Sequence, residues 1–588
     1  MPDLNSFSSW TTVQKQAMHS AMVNTFYVGD VAAGDGVTID TQAINQVLTD
    51  AGDGATIIFD TLKTFLSNGP IYPRTGQTLL GIGSTLKRAN QAQTTTSTTI
   101  ASGVTTTFNV ASTAGFTVGC GVIVYQGTAG SWTNHTNTLV CTAVGVSSIT
   151  VDVAPNVSLS GTTQVITGGH QAILVNDDVS IKGLGFDGNK ANNDSNLVRW
   201  ELISEINSIP STTGVSVEDT VIRDAACEGI FIGGASVVKG NRITNSNGNA
   251  IHFSSLQGSD ISSNHIDGAN LYGADAGHQD GCISSSNLNF NVNITNNYLA
   301  NSQFAGVGGL GSGPDDQKFI ISNNTMVSCA GGGVELSGTA APLDSSERIK
   351  IHGNTFDDCG PMVINSGSTS EYTDGYGNNR HTILNNDFIN GSILTIAGSF
   401  NIAVKGNLFD LSGNTTDQAL VITNSKRITV KANDFIGGLN HIRVQKSGSP
   451  SGVVTQVSIN NNDFYDSVND SVYVTSAANV VGEYVKVGNN TFKGGASTLQ
   501  NSPFIQPDAR CYVTGNTFTA KDTAHNRLIT AIGVCVITNN TVLGAGTNDI
   551  RLLVGAAGCV CSNNQVSTVV DDQTGGGSGI RDNDIIAA

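Results

Sequence analysis

"CYVTGNTF", Cys511 to Phe518, returns as "CVITNNTV" from Cys535 to Val542 and as "CVCSNNQV" from Cys559 to Val566. The first and third residues of each copy are apolar and share one face of a strand of period two, and an Asn stands five residues after the leading cysteine. The wider pattern apolar-x-x-Asn-x-apolar places Asn at 241, 264, 297, 324, 354, 386, 407, 433, 462, 490, 516, 540, 564 and 583, a mean step of about 26 residues. No helix-length apolar pattern separates the copies. Short strands with Asn/Gly turns and no crossover helices predict an all-β solenoid, a parallel β-helix rising about 4.8 Å per rung.

The cysteines are therefore expected to be architecture. Alternation puts Cys511, Cys535 and Cys559 on the same inward side as Val513, Ile537 and Cys561. Cys329 and Cys359, five residues after Asn324 and Asn354, belong to the same kind of stack. Free Cys behaves as a small buried apolar residue, and no His stands at ligand spacing to make a metal site. The repeated Asn is expected to bond to its copy one rung away and to the turn backbone.

Bulk properties narrow the function. Charged residues are 13% of 588, against about 25% in ordinary globular proteins. The formal charge of −18 argues against a nucleic-acid partner. No run approaches 18 apolar residues, so no membrane insertion is expected. The N-terminus lacks the basic start and apolar run of a secretory signal, which suggests synthesis in the cytosol, with later release by lysis or otherwise secretion left open. No cofactor and no metal are expected.

Along the chain, residues 1–26 read as a short amphipathic helix with Trp10, Val13, Met18 and Met22, either a packed terminal helix or an attachment peptide. Residues 27–90 read as a capping helix and a first rung. Asp40 is placed to cap the helix, which turns Ala43, Ile44, Val47 and Leu48 to one side and would cover open strand edges. Residues 91–170 break the period and read as a small inserted β domain, where Cys120 and Cys141 are expected as buried thiols. Residues 171–588 read as the main β-helix.

"GDGVTIDTQAINQVL", Gly34 to Leu48, resembles the opening motif of the pectate-lyase-superfamily β-helix proteins, common in bacteriophage tailspikes and polysaccharide depolymerases. That family usually has a second Asp where this chain has Ile39. "TLLGIGSTLKR", Thr78 to Arg88, is similar to the first rung of those proteins. The resemblance implies a right-handed parallel β-helix. It also implies a homotrimer, a virion tail location, other tail proteins as partners through the N-terminus, and a bacterial surface polysaccharide (capsule, O-antigen or exopolysaccharide) as ligand. It does not choose among hydrolases, lyases, epimerases and pure binders.

Glycoside hydrolysis takes two carboxyl groups flanking the bond. Aligning "EGIFI" at 228, "NAIHF" at 249 and "DGCIS" at 280 stacks Glu228, Asn249 and Asp280 in one column. Phe231, His252, Ile283, Gly308 and Glu335 form a second. Asp280, with Glu228 or Glu335, is the expected catalytic pair. "HQDG", His278 to Gly281, is somewhat similar to the Asn-Thr-Asp-Gly stretch of polygalacturonases, but the paired Asp-Asp and the Gly-His-Gly that follow in those enzymes are absent, so only Asp280 is carried over. Each residue has a plainer reading: Asp beside Gly is ordinarily a turn former, and His278 a surface loop residue. Expected sugar contacts are His252, His278, Asp275 and Tyr272, with Trp200, Tyr372 and Arg380 as stacking or charged partners. Three readings stay open: a tailspike that cleaves polysaccharide, a binding-only receptor protein, and a lyase. A lyase would want Arg or Lys beside a uronate, and the patch offers only Lys239, Arg242 and Lys318.

Overall fold

The computed structural model describes residues 24–585 apart from internal stretches. The longer of these are 194–201, 206–211, 272–280, 311–317, 338–348, 366–380, 446–455, 476–484, 495–503 and 520–526. The chain divides into two compact units, residues 1–279 and 280–588.

Both units are built from rungs of three short strands, each pairing in parallel with its counterparts on neighbouring rungs. In the second unit one rung runs through Thr429–Lys431, Asp434–Gly437 and Asn440–Gln445. The first strand pairs with Ala403–Lys405 and Val457–Asn460, the second with Leu408–Leu411 and Asp463–Tyr465, the third with Gln418–Thr423 and Val472–Val474. The three stacks are called here the first, second and third sheets. The chain is thus a parallel β-helix, as the repeat predicted.

The repeated Asn sits in the two-residue turn between the first and second strands. The residue before it adopts positive φ, from 51° at Asn385 to 70° at Gly515, which favours Gly and Asn. Each ladder amide then works in both directions. Asn433 Oδ1 accepts from the backbone N–H and the Nδ2 of Asn407, both at 2.9 Å. Its own Nδ2 donates to Val404 O at 3.1 Å and to Asn462 Oδ1 at 2.9 Å. The pattern repeats without change through Asn490, Asn516 and Asn540.

Two residues after the ladder, the inward position of the second strand is Phe in seven successive rungs, from Phe356 to Phe518. Neighbouring centroids lie 4.6–5.0 Å apart, because rung spacing and ring-stacking distance nearly coincide. His441 is fully buried beside this stack, 5.9 Å from Phe435 and 5.5 Å from Phe464. The cysteines are also inside. All ten are free and buried. Cys511 pairs in register with Cys535, whose backbone N–H approaches Cys559 Sγ at 3.0 Å, and the hydrogen bond with the Cys511 thiol, together with burial, pushes the Cys535 thiol up.

The N-terminal part differs from expectation. The helix expected over 1–26 does not reach its end: Thr25–Tyr27 is a strand paired with Thr56–Ile58. Trp10, Val13, Met18 and Met22 lie outside the described residues. Residues 27–90 hold more than one rung, since Asp35–Ile39, Thr64–Ser67 and Thr85–Arg88 stack on one another. The helix spans Thr41–Ala51 and buries Ile44, Val47 and Leu48. Asp40 stands at its N-cap, but its carboxylate turns back to accept from Ala33 N–H at 2.8 Å and Gly34 N–H at 3.2 Å. Between Thr85–Arg88 and Ile173–Val175 the chain makes an antiparallel sheet from Gln93–Thr96 to Thr163–Ile166. Its own core includes Phe108, Val124, Leu139 and Ile149, with Cys120 and Cys141 buried among them.

Replacing Asn433 by Ala strands the buried N–H and Nδ2 of Asn407 and the carbonyl of Val404. At about 1–3 kcal/mol per unsatisfied buried group, the unfolding free energy should fall by at least about 2 kcal/mol, read as a lower urea midpoint. His441 gives a separate test. Burial pushes its imidazole down to about 3 from 6.5, so folding favours the neutral form. Stability from this group is complete above pH 6.5 and is lost as pH falls towards 3. His441→Phe should therefore remove about 1.4 kcal/mol per pH unit from the slope of unfolding free energy across that window, measured by urea titration at stepped pH.

Candidate functional site

In the first unit, Glu228 stands two residues before the third-sheet strand Ile230–Gly234. That strand pairs in register with Ile251–Leu256, setting Ile230 against Ile251 and Phe231 against His252. Ile230 and Ile232 point into the coil and are fully buried, so Phe231 and His252 take the opposite side. The backbone bond from Gly229 N–H to Asn249 O, 3.1 Å, continues the register to set Glu228 beside Asn249. The expected alignment of these two residues, and of Phe231 with His252, is the one observed.

Glu228 is 0% exposed and His252 8%. Asn249 Nδ2 donates to Glu228 Oε1 at 3.0 Å, and His252 Nδ1 lies 3.1 Å from Glu228 Oε2. Phe231 packs edge-on to the imidazole with centroids 4.9 Å apart. Ser204, which precedes Phe231 in the same row, and Ser254 are also buried. A carboxylate held on Nδ1 fixes the ring orientation and, in the neutral imidazole, leaves Nε2 as the acceptor nitrogen. This is the geometry by which a carboxylate–imidazole pair takes up and returns a proton.

In the second unit, Glu335 lies on the strand Val334–Ser337, half-buried, and pairs in register with Val363. The second expected column needs a correction there. Ile283 pairs with Val307 and faces the core; Ser284 is the residue beside Gly308. A register irregularity between Val307 and Leu310 accompanies the shift. Asp280, Tyr272, Asp275, His278, Trp200, Tyr372 and Arg380 lie outside the described residues. Of the expected site residues, the structure brings together Glu228 and His252. Sequence reasoning had Asn249 in the Glu228 column but missed its role as the carboxylate's second donor, although shared rung position was the available signal.

Among the described residues no three His, Cys, Asp or Glu side chains are grouped to hold a metal ion. No helix among them is long and apolar enough to cross a membrane.

No protein-family model matches the chain, and no curated protein sequence does. Solved structures of similar architecture do. One is PfbA, a surface adhesin of Streptococcus pneumoniae, with 14% identity over 76% of this chain and 92% of that one, TM-score 0.43. A mutant tailspike protein of E. coli bacteriophage HK620 in complex with a pentasaccharide has 10% identity over 87% and 79%, TM-score 0.42. The Gp54 tailspike of Acinetobacter baumannii bacteriophage AP22 in complex with capsular saccharide has 11% identity over 92% and 78%, TM-score 0.23. Identities this low and TM-scores below 0.5 assign no function to this chain.

The hydrogen bonds of Glu228 set a stability test. Glu228→Ala leaves Asn249 Nδ2 and His252 Nδ1 without their carboxylate and should lower the unfolding free energy by about 2–5 kcal/mol. Glu228→Gln keeps an acceptor for Asn249 and should cost clearly less, by the same urea titration. Equal and small losses in both variants would show that the pair is not held as described.

Proposed function

We propose that the protein is a tailspike-type virion protein, trimeric, that binds a bacterial surface polysaccharide and hydrolyses its glycosidic bonds. The observation that carries this reading is the buried Glu228 carboxylate bonded to His252 on the third sheet. A buried carboxylate bonded to an imidazole on the outward row of a strand is the kind of titratable cluster found at functional sites, and this supports the reading. The acidic balance of the chain favours a neutral or weakly charged polymer over a polyanion. A saccharide ligand, present in the two tailspike complexes above, is for this chain part of the proposal.

Hydrolysis needs one protonated carboxyl to give its proton to the leaving oxygen and one ionised carboxylate to activate water. Within the second unit the proposed pair is Asp280 and Glu335. Within the first, Glu228 is proposed to act through His252. Tyr272, Asp275, His278, Trp200, Tyr372 and Arg380 are the proposed sugar contacts. A second reading, binding without cleavage, is favoured by the full burial of Glu228, since a carboxylate saturated by Asn249 and His252 also serves as an anchor for the strand.

The test is the viscosity of host polysaccharide and the release of reducing ends by the purified protein. Asp280→Asn and Glu335→Gln should each lower the rate by about 10²–10⁴ with glycan binding kept, and Glu228→Gln should do the same if the His252 pair transfers a proton. Normal cleavage by all three variants would sink the assignment of these carboxyls. Binding without any cleavage by the wild type would establish the second reading, and products carrying an unsaturated sugar would establish a lyase.

A further inference from the structure

In the second unit the outward residues of the first and second sheets differ in charge. Among the twelve described first-sheet strands, from Asn293–Thr295 to Gly579–Arg581, there is no Asp or Glu. Lys350, Lys405, Lys431 and Lys486 stand there instead, all exposed, with His352 half-buried between rungs. The second-sheet strands of the same rungs carry Asp357, Asp387, Asp410, Asp434 and Asp463, and their one basic residue is Lys493. On three rungs the two series meet at one level, Lys350 with Asp357, Lys405 with Asp410 and Lys431 with Asp434, whereas Lys486 shares its rung with Lys493.

Within each stripe, like charges face each other. Lys405 pairs in register with Lys431, and Asp434 with Asp463. Directly opposed like charges on adjacent strands are unfavourable. None of these four side chains has an ion-pair partner in the chain among the described residues. The first unit treats the same positions differently. There Lys182 meets Glu218 at 3.3 Å across first-sheet rungs, and Arg223 meets Asp187 at 3.0 Å across second-sheet rungs. Charges that are neutralised along the sheet in one unit are sorted by sign in the other.

We propose that the first sheet of residues 350–431 docks on the second sheet of another copy of this chain, lysine stripe against aspartate stripe, with the coils side by side and rungs level. Such a contact is heterologous, because each copy offers a different face to each neighbour, and it closes into a ring when the rotation between copies permits. Charge complementarity names the occupant. A chain of net charge −18 repels its own copies at long range, and this first-sheet stripe is a cationic face that a second copy's aspartates fit. On level rungs Lys350 faces the rung of Asp357, Lys405 that of Asp410 and Lys431 that of Asp434, so these three pairs fix the alignment. This inference rests on the trimeric part of the reading above and adds which faces meet.

The experiment is sedimentation of the full chain over a dilution series, with circular dichroism melts as a check on folding. Lys405→Glu with Lys431→Glu should raise the concentration for half-dissociation at least about tenfold, as should Asp410→Lys with Asp434→Lys. Combining all four substitutions reverses both partners on those two rungs and should restore association to near the wild-type value. These positions are exposed or half-exposed and outside the proposed glycan contacts, so saccharide binding is read separately and should persist in the monomer. A wild type that stays monomeric overturns the proposal. A trimer that both double variants leave intact, or that the fourfold variant fails to rescue after both had broken it, overturns the face assignment while the trimeric reading stands.

Discussion

From Asn241 onward the regularity of this protein depends on the amide of the ladder asparagine. The turn between the first and second strands holds one residue in the left-handed region and follows it with a residue whose backbone N–H points along the coil into a buried corner. That N–H has no strand partner at the turn, so a side chain from the next rung must accept it. An amide can do this and also donate in two directions, to its neighbour's Oδ1 and to the previous rung's carbonyl. Aspartate has the acceptor but no donor and would stack negative charges about 4.8 Å apart. Once the amides align, register between rungs is set, and the residue two places on must sit over its own copy. The phenylalanine stack follows from this: identical rings at a repeated inward position meet at a distance set by the backbone.

The same constraint explains what could be read from the sequence. Wherever a ladder Asn stands, the residue before it, the inward aromatic after it and the inward cysteines fall into place by counting. Before Asn241 the corner is filled by Ser84, Leu184 and Thr220, preceded by Gly83, Gly183 and Asp219 at positive φ. The left-handed residue is kept, although the corner at Ser84 is two residues longer than the one at Leu184, and the signature residue is absent. That is why residues 27–90 read as one rung when they hold several strands of the coil. Thr220 Oγ1 still donates to Asn241 Oδ1 at 2.7 Å, so the ladder's hydrogen bonding begins one rung before its sequence does.

The candidate site was legible to a lesser degree, for a physical reason. Glu228 and Asn249 could be aligned because "EGIFI" and "NAIHF" both carry Ile at the third position and a large apolar residue at the fifth. The next third-sheet strands, Gly281–Ser286 and Ala305–Leu310, are made of Gly, Ser and small apolar residues. Their sequences do not distinguish inside from outside, and a one-residue slip costs nothing that can be seen by counting. The shift from Ile283 to Ser284 beside Gly308 is such a slip, next to an irregularity in the ladder of backbone bonds. Burial of Glu228 was not legible at all. Its position before the strand gives no parity, and its exposure is decided by donors on the neighbouring rung.

The three sheets of the coil therefore differ in what they can do. The first and second sheets of the second unit are short, regular strands flanking the ladder corner, and their outward rows repeat at one spacing over many rungs. A row of that kind complements another row with the same repeat, and the simplest object having it is the same coil in another copy. The third sheet is interrupted: its strands vary from Val472–Val474 to Gln418–Thr423 in length, and it carries the irregularity after Val307. An irregular surface cannot be matched rung by rung. It suits a ligand recognised by a few placed groups, such as a buried carboxylate that orients an imidazole. One ladder holds two sheets to its period and leaves the third, farther along each rung, free to depart from it.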